Sequence, residues 1–391
     1  TVEASIAMYA SIAAGAQAEL MAPREILEEQ HANNLAKLFA DFPVNVALLT
    51  GATKAAARKT LLPQIAQGGV DLLIGTHALI QPEVTYHQLG LAVIDEQHRF
   101  GVNQRQALRE KGQQPDVLAM TATPIPRTLA ITAYGEMDVS VINELPAGRQ
   151  PIKTTWIRSN QVDATLRQVK VELSTGSQAY VVTPLIEESE AVDMKNAEAI
   201  YERFKTEFEP TYKVGLLHGR MKDDEKNAIM AAFKANEFQV LVATTVIEVG
   251  VDVPNATLMM IYDADHFGLA QLHQLRGRVG RGTRASACIL IADPKNQLAI
   301  ERMTTMTSTN DGFVLSQKDL ELRGPGDILG RKQSGVPDFK VGDPVADLNI
   351  LSAAQQAAKE TVAAPNWAEK DANLALAAFL STTAHQTTTM D

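Results

Sequence analysis

The sequence predicts an α/β protein: two tandem parallel-sheet halves, then a small helical and loop-rich C-terminal region. Two observations carry the tandem halves. Short apolar runs of strand length alternate with longer amphipathic stretches, and this series occurs twice. A Pro/Gly break, Glu144-Leu145-Pro146-Ala147-Gly148-Arg149-Gln150-Pro151, separates the two series. Strands alternating with helices build βαβ units, whose sheets are parallel and covered on both faces. A third observation sets off the last region: strand-like runs stop after about Met306.

In chain order, the first half opens on a helical pattern (Val2, Ile6, Tyr9, Ile12). Strands are expected at 18–22, 44–49, 70–74, 91–94 and 117–120, with helices such as 25–39 and 54–67 between them. After the break, strands are expected at 179–183, 214–217, 240–243, 258–261 and 287–291, with helices at 196–208 and 223–235. Two similar halves imply a cleft between them, a common place for a ligand. Glycines and prolines then cluster over 323–344, an Ala-rich helix follows at 348–364, and the Thr-rich end from Ser381 is expected to fray. The domains so drawn are 1–148, 149–305 and 306–391.

At 391 residues the chain has room for two to three domains with their own cores. No apolar stretch approaches the roughly 20 residues of a membrane span. Nothing near Thr1 reads as a signal peptide, and the single cysteine, Cys288, sits in an apolar strand, so no disulfide framework is expected. A reducing, cytoplasmic location fits these features. The net charge of −10 argues mildly against a nucleic-acid partner, but Arg276, Arg278, Arg281 and Arg284 form a dense local cluster. The first residue is Thr1 rather than Met and the chain enters a helix at once, as a piece of something longer would.

The most informative motif is Asp95-Glu96-Gln97-His98, directly after the apolar run Leu91-Ala92-Val93-Ile94. It puts two carboxylates at the carboxyl end of a central strand, the edge where open α/β sheets bind ligands. Adjacent acids repel, and a cation relieves that repulsion; the alternative is a pair of solvated loop acids. Thr121-Ala122-Thr123 ends the next strand, which would bring its hydroxyls near the acids, unless they only cap a helix. Met21-Ala22-Pro23-Arg24 and Gly75-Thr76-His77 also follow strands. They can hold phosphates through N–H groups, hydroxyls and Arg24, or can be ordinary turns.

In the second half, His218-Gly219-Arg220 and Ala243-Thr244-Thr245 close strands, and Gly250-Val251-Asp252 offers close backbone approach and a carboxylate. Gln271, Gln274 and Arg278 are spaced for one helix face, and Gly280 and Gly282 would let Arg281 project past the helix end. An arginine reaching across a cleft to a γ-phosphate is worth about 10³ to 10⁵ in rate. A basic surface patch is the alternative, more plausible for Arg284.

Taken together and in order, these motifs resemble those of superfamily 2 helicases over about residues 1–305. The resemblance implies two RecA-like domains, ATP and Mg²⁺ as cofactors, and nucleic acid across their tops. It would make Asp95 and Thr1 the Mg²⁺ ligands and Glu96 the residue that polarises the attacking water. Thr121 and Thr123 would couple hydrolysis to DNA contact, Gly250 and Asp252 would join the ATP cleft, and Arg278 and Arg281, with Gln274, would complete it. Arg24, Thr76, His77, His218 and Thr244 would face DNA.

His98-Arg99-Phe100-Gly101-Val102 and the run Thr121 to Thr128 narrow the resemblance to RecG-type helicases and the transcription-repair coupling factor. Both carry a C-terminal translocation motif, seen here over 311–335 with Arg323 and Gln333 as expected DNA contacts. Gln97 and Gly324-Pro325-Gly326 favour the RecG type. That family remodels stalled forks and migrates Holliday junctions in duplex DNA during recombination and repair. Its phosphate loop ends in Gly-Lys-Thr, and Thr1 aligns with that Thr, so the isolated chain is expected to be ATPase-deficient. A non-catalytic scaffold or DNA-binding module is the reading from a different class, and an RNA helicase is the weaker rival among the enzymes.

Overall fold

The computed structural model describes the whole chain except residues 24, 97–106, 109–110, 113–114, 123–137, 143, 145–149, 185–189, 245–252, 324–346 and 388–391. It forms two compact units. One comprises Thr1–Pro124 with Leu145–Leu315, the other Ile125–Glu144 with Ser316–Asp391.

The first unit holds two wholly parallel sheets, as the alternation of elements requires. In the first sheet, β1 (Gln17–Met21), β2 (Val46–Leu49), β3 (Leu72–Gly75), β4 (Leu89–Ile94) and β5 (Asp116–Ala119) lie in the order β2-β3-β1-β4-β5. Helices α1 (Val2–Ala13), α2 (Glu25–Leu38) and α3 (Ala55–Ala66) alternate with the first strands. Successive strand side chains point to opposite faces, and the core divides accordingly. Ala18, Leu20, Leu72, Ile74, Leu91 and Val93 pack with Met8, Leu35 and Phe39 on one face. Met21, Leu73 and Ile94 pack with Leu49, Ile65, Leu79 and Leu108 on the other. Strands β1, β3 and β4 are buried along almost their whole length, which is why they read as mostly apolar runs.

The second sheet contains β6 (Lys153–Ile157), β7 (Gln178–Thr183), β8 (Val214–Leu217), β9 (Val240–Thr244), β10 (Ala256–Ile261) and β11 (Ala287–Ile291), in the order β6-β11-β10-β7-β9-β8. Its helices are α4 (Val162–Ser174), α5 (Glu190–Phe208), α6 (Asp223–Lys234), α7 (Leu269–Arg276) and α8 (Gln297–Ser308). The edge strand β6 was not expected: Lys153-Thr154-Thr155 interrupts any apolar run, and only pairing with β11 makes it a strand. Helix α5 starts six residues before the expected 196.

The two halves repeat one buried device. Gly15-Ala16-Gln17-Ala18 and Gly176-Ser177-Gln178-Ala179 each turn from a helix into the central strand. Gly15 and Gly176 adopt φ of 87° and 81°, the left-handed region that suits glycine after a helix. Gln17 Nε2 donates to Ile65 O (3.0 Å) and Val70 O (2.7 Å). Gln178 Nε2 donates to Phe233 O (2.6 Å) and Phe238 O (2.7 Å). Each amide thereby bridges two carbonyls, one at a helix end and one in the loop that follows it, and fixes that connection beneath the sheet.

Helix α9 (Gly312–Arg323) runs from the first unit into the second, which also contains α10 (Leu348–Ala363) and α11 (Leu374–Thr387). Helix α11 runs past Ser381 to Thr387, and residues 388–391 lie outside the described ones. Its Leu- and Ala-rich start has high helix propensity, and Ser381 Oγ donates to Ala378 O at 2.8 Å. Among the described residues, no helix is long and apolar enough to cross a membrane.

Candidate functional site

Asp95 and Glu96 lie where the register of β4 places them. Asp95 N–H donates to Met21 O (2.9 Å), and Met120 N–H donates to Ile94 O (2.8 Å), so the acids emerge between the ends of β1 and β5. Asp95 Oδ1 accepts from Glu96 N–H at 3.0 Å, and Oδ2 lies 3.0 Å from His31 Nε2 on α2. Glu96 adopts φ of 51°, the left-handed region that costs a non-glycine residue about 1–2 kcal/mol. Its carboxylate accepts from Thr121 Oγ1–H (3.5 Å) and Ala122 N–H (3.4 Å). The expected meeting of the Thr121 hydroxyl with the acids is therefore present, on Glu96. His31 was missed by sequence reading.

Among the described residues, no group of three His, Cys, Asp or Glu could cage a metal. A single half-buried carboxylate suits Mg²⁺, which is commonly held by one or two carboxylates together with phosphates and waters. The donor chemistry at Asp95 fits that cation. Thr1 sits at the N-cap of α1, where exposed N–H groups and the helix dipole favour anions.

Thr76 precedes a 3₁₀ turn at His77–Ile80, just past β3. Gly75 cannot carry a side chain, because a Cβ there would lie 2.4 Å from Leu49 O. On the second sheet, Thr183 and Thr244 end the paired strands β7 and β9, and His218 follows β8 at the same edge. Thr183 Oγ1, Thr244 Oγ1 and His218 Nδ1 are buried with no hydrogen-bond partner. Arg24, Thr123, Gly250, Asp252 and Gln333 lie outside the described residues, as do residues 97–102 and 324–326. Arg323 is the last residue of α9.

The arginine cluster divides by environment. Helix α7 ends at Arg276 with Gly277 as its C-cap, so Gln271 and Gln274 are helical and Arg278 is not. That corrects the expectation of one helix face. Arg278 sits in the following turn, its N–H donating to Leu275 O at 3.0 Å. Gly280 has φ of 71°, and the exposed Arg281 lies just past it, its Nε donating to Gly277 O at 3.2 Å.

Arg276 is buried, only 2% exposed. It donates to Thr154 Oγ1 (3.3 Å), Met306 O (3.0 Å) and Thr309 O (2.8 Å), and meets His273 Nδ1 at 3.1 Å. Burial lowers its pKa. Arg284 donates to Thr175 O and Ser177 Oγ and to Asn255 Oδ1, which ties loops together rather than presenting a bare patch.

A further acid was not flagged by the sequence. Glu19, in the middle of β1, is wholly buried, and desolvation raises its carboxyl to about 7. Tyr86 O–H donates to its Oε2, while Oε1 has no hydrogen-bond partner. Nearby Lys111 donates to Val84 O at 2.8 Å.

Residues 1–131 match the DEAD/DEAH box helicase family and 161–283 the helicase conserved C-terminal domain. Residues 309–384 match the C-terminal part of domain 3 of the ATP-dependent DNA helicase RecG. Over 363 residues the chain is 58% identical to the ATP-dependent DNA helicase RecG of Bacillus subtilis (strain 168), covering 93% of this chain and 53% of that protein. Over these residues the chain is similar to the RecG helicases.

The RecG protein of Streptococcus pneumoniae serotype 4 is 56% identical over 369 residues, covering 94% of this chain and 55% of its own length. A solved structure of RecG bound to a three-way DNA junction superposes with a TM-score of 0.73 at 42% identity, covering 90% of this chain and 45% of that one. The chain thus spans about half the length of the curated RecG relatives it matches. A DUF1998 helicase bound to DNA, at 16% identity and a TM-score of 0.58, shares the fold. The two parallel α/β sheets are those of tandem RecA-like helicase domains.

Proposed function

We propose that this chain is the motor and C-terminal part of an ATP-dependent DNA helicase that remodels branched duplex DNA, both stalled forks and Holliday junctions. It acts as a cytoplasmic monomer in recombination and repair. The observation that carries this reading is the pair Asp95-Glu96 at the end of β4 with Thr121 of the neighbouring strand end on Glu96, in a chain 58% identical to a RecG helicase. The branched substrate is supported by the RecG relative solved on a three-way DNA junction.

Asp95 and Thr1 would hold Mg²⁺, which when bound neutralises charge on the phosphate oxygens of ATP. Glu96 orients and polarises the attacking water, held toward Thr121 by its backbone turn. Thr121 and Thr123 link that acid to DNA contact, so hydrolysis follows engagement of the duplex. Gly250 and Asp252 join the nucleotide cleft with Gln274, and Arg278 and Arg281 stabilise charge developing on the γ-phosphate. Arg24, Thr76, His77, His218 and Thr244 contact the DNA backbone. Arg323 and Gln333 do so within the translocation motif.

The test is DNA-stimulated ATP hydrolysis by the protein extended to the length of its relatives. Glu96→Gln abolishes turnover with ATP binding kept; turnover that survives that change refutes the assignment of Glu96.

A further inference from the structure

The contact between His31 and Asp95 is absorbed by none of the roles above. His31 lies on α2, whose Leu35, one turn on, is fully buried in the core, and α2 packs against β2 and β3. The imidazole is 13% exposed and the Asp95 side chain 22%. An ionised carboxylate only accepts hydrogen bonds, so the ring donates to Oδ2 through Nε2 across the 3.0 Å contact. Asp95 Oδ1 is meanwhile taken by Glu96 N–H, and Asp95 N–H by Met21 O. The carboxylate is thus held at both oxygens, by two elements anchored independently in the core. Each oxygen keeps a second lone pair for a cation or its water.

We infer that His31 is the positioning residue of the metal-binding acid. It fixes the Asp95 carboxylate so that the cation does not have to order it. The inference rests on the reading of Asp95 as a Mg²⁺ ligand. Hydrogen-bonded partners behind a metal ligand typically contribute 10- to 100-fold in metal affinity, roughly the scale expected here. His31 also sits on the helix that follows the strand end expected to meet DNA, so the same contact joins that helix to the acid.

The test uses the protein extended to the length of its relatives, with Mn²⁺ as the probe and ADP saturating. Bound Mn²⁺ is read by electron paramagnetic resonance, independently of turnover. His31→Ala should weaken Mn²⁺ binding about 10-fold and leave metal-free ADP affinity unchanged. His31→Gln, whose amide reaches about as far as Nε2, should restore binding to within about threefold of the parent. Mn²⁺ binding unchanged in His31→Ala, or equally weakened in both variants, overturns the positioning role.

Asp95→Asn separates the two claims. Weakened Mn²⁺ binding there with none in His31→Ala removes only the role of His31. Unchanged binding in Asp95→Asn removes the metal assignment, and the role of His31 with it. Should His31→Ala fail to fold, His31→Asn replaces it: its shorter amide falls short of Asp95, so binding as tight as in His31→Gln overturns the inference.

Discussion

Replacing the buried acid of β1 by its amide, Glu19→Gln, gives a stability effect whose size depends on pH. Burial raises the Glu19 carboxyl from its ordinary 4.5 to about 7, while the Tyr86 hydrogen bond and the Lys111 charge pull it down by less. The folded protein therefore holds the Glu19 proton more tightly than the unfolded chain. Its contribution to stability is complete below about pH 4.5 and lost as pH rises through about 7. The interval corresponds to about 3 kcal/mol.

The amide cannot ionise, and like the protonated acid it leaves a donor where Oε1 has no partner. Glu19→Gln should thus be close to the parent in acid and more stable than it in mild alkali. The difference between the two proteins should move by about 3 kcal/mol across the interval. Urea denaturation of both, followed by circular dichroism at a series of pH values, measures it. Parallel stability curves across that range would refute the account of Glu19.

Three further outcomes follow from the packing. Arg276→Met should cost about 3 kcal/mol or more in denaturant unfolding, because it strands the carbonyls of Met306 and Thr309 and the Thr154 hydroxyl. Cys288, fully buried with its thiol pushed up to about 12, should react with a thiol reagent only as fast as the protein unfolds; rapid labelling in native buffer contradicts that burial. Gly75→Ala drives a Cβ against the Leu49 carbonyl and the Leu79 side chain and should lower stability by about 1–3 kcal/mol, seen as a lower melting temperature.

The sheets were legible because strands of a covered parallel sheet are mostly apolar, and ten such runs of strand length stand out, a few interrupted by a single polar residue such as Glu19. Asp95 and Glu96 were legible for the same reason: they interrupt that pattern where β4 stops. Strand β6 was not, since Lys153-Thr154-Thr155 gains its conformation from β11 alone. Nor was the pairing of His31 with Asp95, which joins a helix to a strand end 64 residues away.

Arg276 looked like its neighbours by composition, yet it lies seven residues after Leu269 and four after Leu272, on the buried stripe of α7. That spacing was the available signal. Glu19 gave a weaker one: a lone acid inside Gln17-Ala18-Glu19-Leu20-Met21 is hidden by its apolar neighbours until the strand is seen to be central.

The most direct test of the central claim is ATP-dependent unwinding of a synthetic three-way DNA junction by the protein extended to the length of its relatives. The account predicts strand separation that needs both ATP and Mg²⁺, is lost in Glu96→Gln and in Arg281→Ala, and is far weaker on an RNA junction. Unwinding that persists in Glu96→Gln, or that prefers the RNA junction, would contradict it.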